Sequence, residues 1–215
     1  MLAGCWLFLA IAVALPAQVS NAQQRLSTDR TRVFTSSDGA FRFSYPKDFQ
    51  VCPQGKIDPC NQFYIPVCQQ DAVICVVYPA EQFKGTSFGA ASFQVREIFQ
   101  AGEAETPDVC ATPYPRKEIG TSDYPEFLIS AEHPREMIGE VQFIHGIEDG
   151  VATGKSIGID VYRAFRKDRC FELSISEAET NPDTSDPPLK ALTPTQNKRL
   201  HQSMSEILQS FRFSK

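Results

Sequence analysis

Between Val51 and Tyr78 the sequence reads VCPQGKIDPCNQFYIPVCQQDAVICVVY, and four of the seven cysteines, Cys52, Cys60, Cys68 and Cys75, fall within it. The first part of this stretch is polar and broken by Pro53, Gly55 and Pro59; the last part is an apolar run of strand composition. Cysteines eight, eight and seven residues apart form no CxxC pair and have no histidine beside them, so zinc ligation is a poor fit. A disulfide framework fits better, because an even set of cysteines in an exported chain reads as a set of bridges.

Export is expected from the N-terminus. Residues 1–22 hold an uncharged apolar run, Trp6 to Leu15, followed by Ser20 and Ala22 at the small-residue positions of a signal-peptidase site. Cleavage is expected after Ala22. The run is too short to cross a bilayer, and no other segment approaches the apolar length of a transmembrane helix. Leu2-Ala3-Gly4-Cys5 has the letters of a lipobox, but it precedes the apolar run that a lipobox must follow. Removal of this leader leaves Cys52, Cys60, Cys68, Cys75, Cys110 and Cys170. Their crowding suggests two local bridges among the first four and leaves Cys110 to pair with Cys170. Which of the four pair locally is open. On a chain-entropy model the long bridge would contribute about 4 kcal/mol.

A length of 215 residues favours one domain, placed at residues 32–215 after a polar, aperiodic and flexible mature N-terminus at 23–31. The composition is that of a folded chain: 42% of residues are hydrophobic, and 16 phenylalanines supply bulky core volume. Twenty-one basic against 26 acidic residues leave no basic footprint for nucleic acid or anionic lipid.

Strand signals dominate. Arg32 to Thr35, a Ser37-Asp38-Gly39 turn and FRFSYP, with Phe41, Phe43 and Tyr45 alternating against Arg42 and Ser44, predict a hairpin. FYIPVC and AVICVVYP read as two strands, the second apolar on both faces and therefore covered on both. Ala90 to Phe99 is another, with Phe93, Val95 and Phe99 on one face. A Pro-rich loop and a strand over Tyr124 to Ala131 follow. VQFIHGI, SIGIDVYRAF and CFELSIS then predict a three-stranded antiparallel meander. A three-residue loop at Lys167 to Arg169 would set Phe165 against Phe171, Arg163 against Leu173 and Val161 against Ile175, gathering apolar side chains on one face. The last helix is marked by Thr193 as N-cap, Pro194 at the first turn and Gln196 three residues on, with Leu200, Met204, Ile207, Leu208 and Phe211 at helical spacing. FRF at the end adds a last strand or docks.

Motifs that suggest chemistry are sparse. Gly85-Thr86-Ser87-Phe88-Gly89 has the letters of the hydrolase nucleophile elbow, making Ser87 the candidate catalytic residue. That motif works as a sharp turn from a buried strand into a helix, and here strand composition follows it. Gly150 to Ser156 resembles a phosphate-binding loop with one residue too few and no helix behind it. His145 and Arg163 stand on otherwise apolar strand faces, where a polar side chain must find a partner or reach water. One reading is a satisfied core histidine and an arginine reaching water at the sheet's edge; on the sharper reading they are the candidate binding residues, lining a pocket between sheet and helix, with Glu97 as the counter-ion of Arg163. His133 reads as exposed. No residue set has a spacing that calls for a metal or a cofactor.

SDGAFRFSYPKDFQV resembles the opening hairpin of Mog1/PsbP-like domains, an aromatic-x-aromatic strand closed by Tyr-Pro, and SEILQSFRF is similar to their closing helix and terminal segment. The resemblance covers about 25 residues at the two ends. It implies an α+β fold in which an antiparallel sheet is flanked by helices on both faces, an α/β/α sandwich, here stapled by disulfides. It also implies a non-catalytic role, since PsbP is an extrinsic photosystem subunit and Mog1 binds a small GTPase. The expectation is an exported, periplasmic or secreted, binding or assembly module whose partner is a protein or small ligand. The alternatives are a small secreted serine hydrolase using Ser87 and a purely structural envelope protein.

Overall fold

A computed structural model describes residues 30–61, 66–98, 110, 135–152 and 154–214. The expected leader with its cleavage point and Cys5, nearly all of the flexible N-terminal stretch, most of the Pro-rich loop, the Tyr124 to Ala131 strand and His133 lie outside the described residues. Thr31–Lys215 forms one compact unit, and helix is much the minor component of what is described. Ten strands, one complete α-helix and the helical residue Cys110 account for the regular structure among the described residues, apart from short 3₁₀ turns.

The opening hairpin pairs β1 (Thr31–Thr35) with β2 (Phe41–Pro46), and the two-residue β10 (Arg212–Phe213) joins the other side of β2 to complete a small sheet. Alternation in β2 buries Phe41, Phe43 and Tyr45. The large sheet contains β3 (Gln50–Pro53), β4 (Ile74–Val77), β5 (Phe88–Glu97), β6 (Arg135–Ile138), β7 (Val141–Ala152), β8 (Lys155–Arg166) and β9 (Arg169–Thr180). Its order is β3-β4-β5-β9-β8-β7-β6, and every neighbouring pair is antiparallel.

One face of the large sheet is closed by α1 (Pro194–Ser210) and the small sheet. The capping box forms as the sequence predicts: the Gln196 amide donates to the Thr193 hydroxyl at 3.3 Å, and the Thr193 amide donates to Gln196 Oε1 at 2.9 Å. Leu200, Met204, Ile207 and Leu208 are buried against Phe41, Phe43, Phe93, Leu173 and Phe211. Each such side chain stabilises by roughly 2 kcal/mol. The helix ends where Phe211 turns extended, and Arg212 Nη1 donates to the carbonyls of Gln209 and Phe211 at 2.6 Å each, satisfying acceptors the last turn leaves open.

The opposite face is covered differently. Cys52 bonds to Cys60 and Cys68 to Cys75, and this clamped loop packs Ile57, Val67 and the cystines onto Val77, Ala90, Ile157, Ile159 and Val161. Farther along, Cys110 bonds to Cys170, 60 residues away in sequence, in a small cluster with Ile98 and Phe165. The helical cover expected on both faces is seen in part: among the described residues α1 is the one complete helix and lies on one face, and disulfide-tied chain, including the helical residue Cys110, covers the other. Hydrophobic burial on both sides explains why β4 is apolar on both faces.

The β8–β9 register differs from the sequence expectation by one residue. The turn has two residues, not three: Lys167 and Asp168 both adopt positive φ, 50° and 58°, as a type I′ hairpin requires. Arg163 therefore lies opposite Glu172, Ala164 opposite Phe171 and Phe165 opposite Cys170. The expected register rests on one apolar and one polar face. Both faces of this hairpin are covered instead, so alternation exerts little selection and the turn decides. Two four-residue strands, β3 and β6, are not legible in the sequence either.

Candidate functional site

His145 lies directly opposite Tyr162, whereas Arg163 is opposite Ile144. Directly opposed residues share a face, so His145 is on the helix side of the sheet and Arg163 on the disulfide side. The single pocket expected to hold both does not form. Glu97 is on the helix side as well, with Phe93 and Val95, and its carboxylate pairs with Arg169: Nε donates to Oε2 at 2.9 Å and Nη2 to Oε1. Arg169 also reaches Asp38 in the β1–β2 turn at 2.6 Å, tying the small sheet to the large one. Asp38 is held well below the usual carboxylate range, first by the amide of Ala40, then by the Ser36 hydroxyl and Arg169.

On the disulfide side, Arg163 finds its counter-ion across the ladder. Nε and Nη2 both donate to Glu172 Oε2 at 2.9 Å. Glu172 is 4% exposed and Arg163 8%, and such a buried pair holds only if its remaining polar atoms are satisfied. Arg96 supplies the second partner, placing Nη1 3.3 Å from Glu172 Oε1 and Nη2 3.0 Å from Asp71. Glu148 stands near this group; burial pushes its carboxyl up, Glu172 pushes it further, and Arg163 and Arg96 oppose. Beside it, Gln94 donates to the Ser174 hydroxyl at 2.8 Å and accepts the Gln69 amide at 2.8 Å, joining the clamped loop to the sheet. Glu172, Arg96 and Glu148 escape a reading of the sequence because the counter-ion of Arg163 depends on the hairpin register.

The helix side of β7 and β8 carries a second set. His145 Nε2 is 2.8 Å from Asp160 Oδ1 and its ring stacks on Tyr162 at 4.4 Å, 5° from parallel. Tyr162 is raised by burial, with Asp160 and Glu136 adding to the effect. His201 of α1 reaches Glu177 at 3.1 Å; burial raises Glu177, Asp160 and Glu179 add to this, and His201 opposes. No group of three or more His, Cys, Asp and Glu side chains is placed to hold a metal ion among the described residues.

Ser87 is buried, with its amide donating to the Lys190 carbonyl at 2.7 Å and its carbonyl accepting from Thr180 at 2.8 Å. It follows a 3₁₀ turn, Ala80–Phe83, and leads into β5. The strand-to-helix elbow that would raise its hydroxyl for attack is not the geometry here.

No protein-family model and no curated protein sequence matches the chain. Solved structures do. LpqN, involved in cell envelope biogenesis of Mycobacterium tuberculosis, aligns with 86% of this chain and 91% of its own at 9% identity and a TM-score of 0.47. The PsbP protein of the cyanobacterium Synechocystis aligns with 88% of this chain and 95% of its own at 8% identity and a TM-score of 0.44. The Ran-binding protein Mog1p of Saccharomyces cerevisiae aligns over 85% and 94% at 13% identity, with a TM-score of 0.40. These neighbours include the PsbP and Mog1 proteins that give the resembled family its name.

One further part of the sheet is accessible. β6 pairs with β7 only from Val141 to Ile144, and beyond it Ile147 and Val151 are 45% and 71% exposed. Between them stands the exposed Asp149. This end of β7 adjoins both charged sets, and Ile147, Asp149 and Val151 are the side chains it exposes among the described residues.

Proposed function

We propose that the protein acts outside the cytoplasm as a non-catalytic binding or assembly module that holds a protein partner against the β7 side of its sheet. The observation that carries the reading is the set of three cysteine pairs, each at bonding distance and each fastening cover to the same sheet face. Bridges of this kind persist in oxidising compartments, which agrees with the leader expected at residues 1–22. Arg163 and Glu172 pair with each other across β8 and β9, Arg96 and Gln94 hold the clamped loop to the sheet, and Ser87 is enclosed in a turn, so the chemistry offered to a ligand lies on the exposed surface. Exposed apolar side chains rimmed by polar ones suit a protein surface.

Chemical cross-linking of the protein in its native compartment tests this. The reading expects one partner recovered in stoichiometric amount and no labelling by a fluorophosphonate probe. Stoichiometric labelling at Ser87, lost in Ser87→Ala, would replace the module with a serine hydrolase.

A further inference from the structure

The two short bridges are neighbours. β3 and β4 pair so that Cys52 lies directly opposite Cys75, and directly opposed residues of a ladder share a face. Each of these two is bonded elsewhere, Cys52 to Cys60 and Cys75 to Cys68. The remaining two cysteines are also brought together. Asn61, next in sequence to Cys60, grips the main chain of Cys68 twice: its Nδ2 donates to the Cys68 carbonyl at 2.7 Å, and its Oδ1 accepts from the Cys68 amide at 2.9 Å. All four cysteines are at most 4% exposed and belong to one apolar cluster. They form a closed circuit in which two links are bonds, the third is the β3–β4 ladder and the fourth is Asn61.

This circuit singles out one of the two other ways to pair the same cysteines. Opposed residues of an antiparallel ladder have Cα atoms about 4.5 to 5.5 Å apart, within the roughly 4.4 to 6.8 Å that a disulfide spans. A Cys52–Cys75 bond therefore asks for side-chain rotation and little movement of the strands. Cys60–Cys68 is its complement, with Asn61 already holding the two segments together. The diagonal set, Cys52–Cys68 with Cys60–Cys75, is supported by neither contact.

We infer that these four cysteines are an exchange site at which a thiolate, from a small thiol or from a dithiol oxidoreductase, converts Cys52–Cys60 and Cys68–Cys75 into Cys52–Cys75 and Cys60–Cys68. The turn before Cys60 exposes Asp58 and Pro59, and its local opening admits the thiolate. Attack on Cys60 Sγ breaks the bond to Cys52, which leaves as a thiolate. Cys52 then attacks Cys75 Sγ across the ladder and expels Cys68; Cys68 attacks Cys60 Sγ and returns the incoming thiolate. Nothing is oxidised or reduced overall, and the thiol acts as a catalyst. In the first pairing each bond staples the loop to a strand, whereas in the second one bond joins strand to strand and the other joins the loop to itself. The cover carrying Ile57 and Val67 then loses its covalent staples and keeps contacts such as the Gln69 amide on Gln94 and Asp71 on Arg96. Exchange loosens the cover without the loss of a bridge.

The test incubates the full chain with a reduced and oxidised glutathione mixture in one arm and with a dithiol isomerase in another, quenches in acid, and maps the peptides without reduction. Cys52–Cys75 and Cys60–Cys68 links should appear together and outnumber the diagonal links, while Cys110–Cys170 stays unchanged. Exchange with glutathione alone assigns the site to small thiols; exchange with the isomerase alone assigns it to a protein thiol. An unchanged map in both arms would overturn the inference, as would diagonal links in equal amount. A second variant is independent of exchange rates: Cys60→Ser with Cys68→Ser, oxidised, should bond Cys52 to Cys75. Free thiols at both positions in a variant that still unfolds cooperatively would overturn it as well. Either failure leaves the three bridges as fixed clamps and the binding-module reading untouched.

Discussion

Arg163 places two donors on one carboxylate oxygen of Glu172, directly across the β8–β9 ladder, with both side chains buried. Removing one member leaves the other charged and dehydrated, which costs about 3 to 5 kcal/mol. Arg163→Met is expected to fall in this range, since Glu172 then keeps Arg96 but loses both donors on Oε2. Adding Glu172→Leu should recover a large part of the loss, because the uncompensated charge goes with it. Urea unfolding of the two single variants and the double variant reads the coupling; simple additivity would contradict the buried pair.

The bridges should differ in what they contribute. Cys110 and Cys170 are 60 residues apart, against 8 for Cys52 and Cys60 and 7 for Cys68 and Cys75. Chain entropy then assigns about 4 kcal/mol to the long bridge and about 2.5 kcal/mol to each short one. Paired Cys→Ser variants, unfolded in denaturant, should follow that order.

Gly139 and Gly55 both have positive φ, 62° and 75°. A Cβ at Gly55 would meet nothing within 4 Å, whereas at Gly139 it would stand 2.9 Å from Arg212 Cδ and 3.1 Å from the Phe211 carbonyl oxygen. Gly55→Ala should therefore cost the left-handed backbone term alone, about 1 kcal/mol. Gly139→Ala should cost about 2 kcal/mol, because it also disturbs the arginine that caps α1. Equal midpoints in thermal unfolding would show that this contact is slack.

Glu148 sets a pH dependence. Burial first, and Glu172 second, raise its carboxyl above the ordinary 4.5. A native carboxyl that keeps its proton to higher pH than the unfolded chain contributes stability fully below the unfolded value and loses it as pH rises through the native one. Glu148→Gln removes that loss. Its stability relative to wild type should climb as pH rises above the ordinary 4.5 and through the raised native value, as read by urea unfolding across a pH series; a relative decline would contradict the burial of this carboxyl.

Long, regular features are legible in the sequence. Thr193, Pro194 and Gln196 fix the start of α1, and the spacing from Leu200 to Phe211 marks its buried face. The meander over β7, β8 and β9 and the Phe41-Phe43-Tyr45 strand follow from alternation, and the crowding of four cysteines points to local bridges. What escapes depends on register and on short pairings. Lys167-Asp168 carries none of the Asn-Gly or Asp-Gly chemistry that signals a type I′ turn, so alternation makes the turn one residue too long and hands Arg163 the wrong neighbours. Shared alternation likewise assigns Glu97 to Arg163, whereas Arg169, at the hairpin end, is the arginine that reaches its face. His145 and Arg163 both stand on apolar faces, but in a sheet covered on both sides an apolar face does not say which side it is. β3 and β6 have four residues each and acquire their identity only from β4 and β7.

A disulfide-clamped module that binds a protein partner outside the cytoplasm should show both its bridges and its partner in one measurement. Cross-linking mass spectrometry of the protein in its native compartment, digested without reduction, reads both at once. The expected result is the peptide links Cys52–Cys60, Cys68–Cys75 and Cys110–Cys170 together with cross-links from the β7 side of the sheet to one partner. Free thiols at these six positions, or bridged protein with no partner in stoichiometric amount, would contradict it.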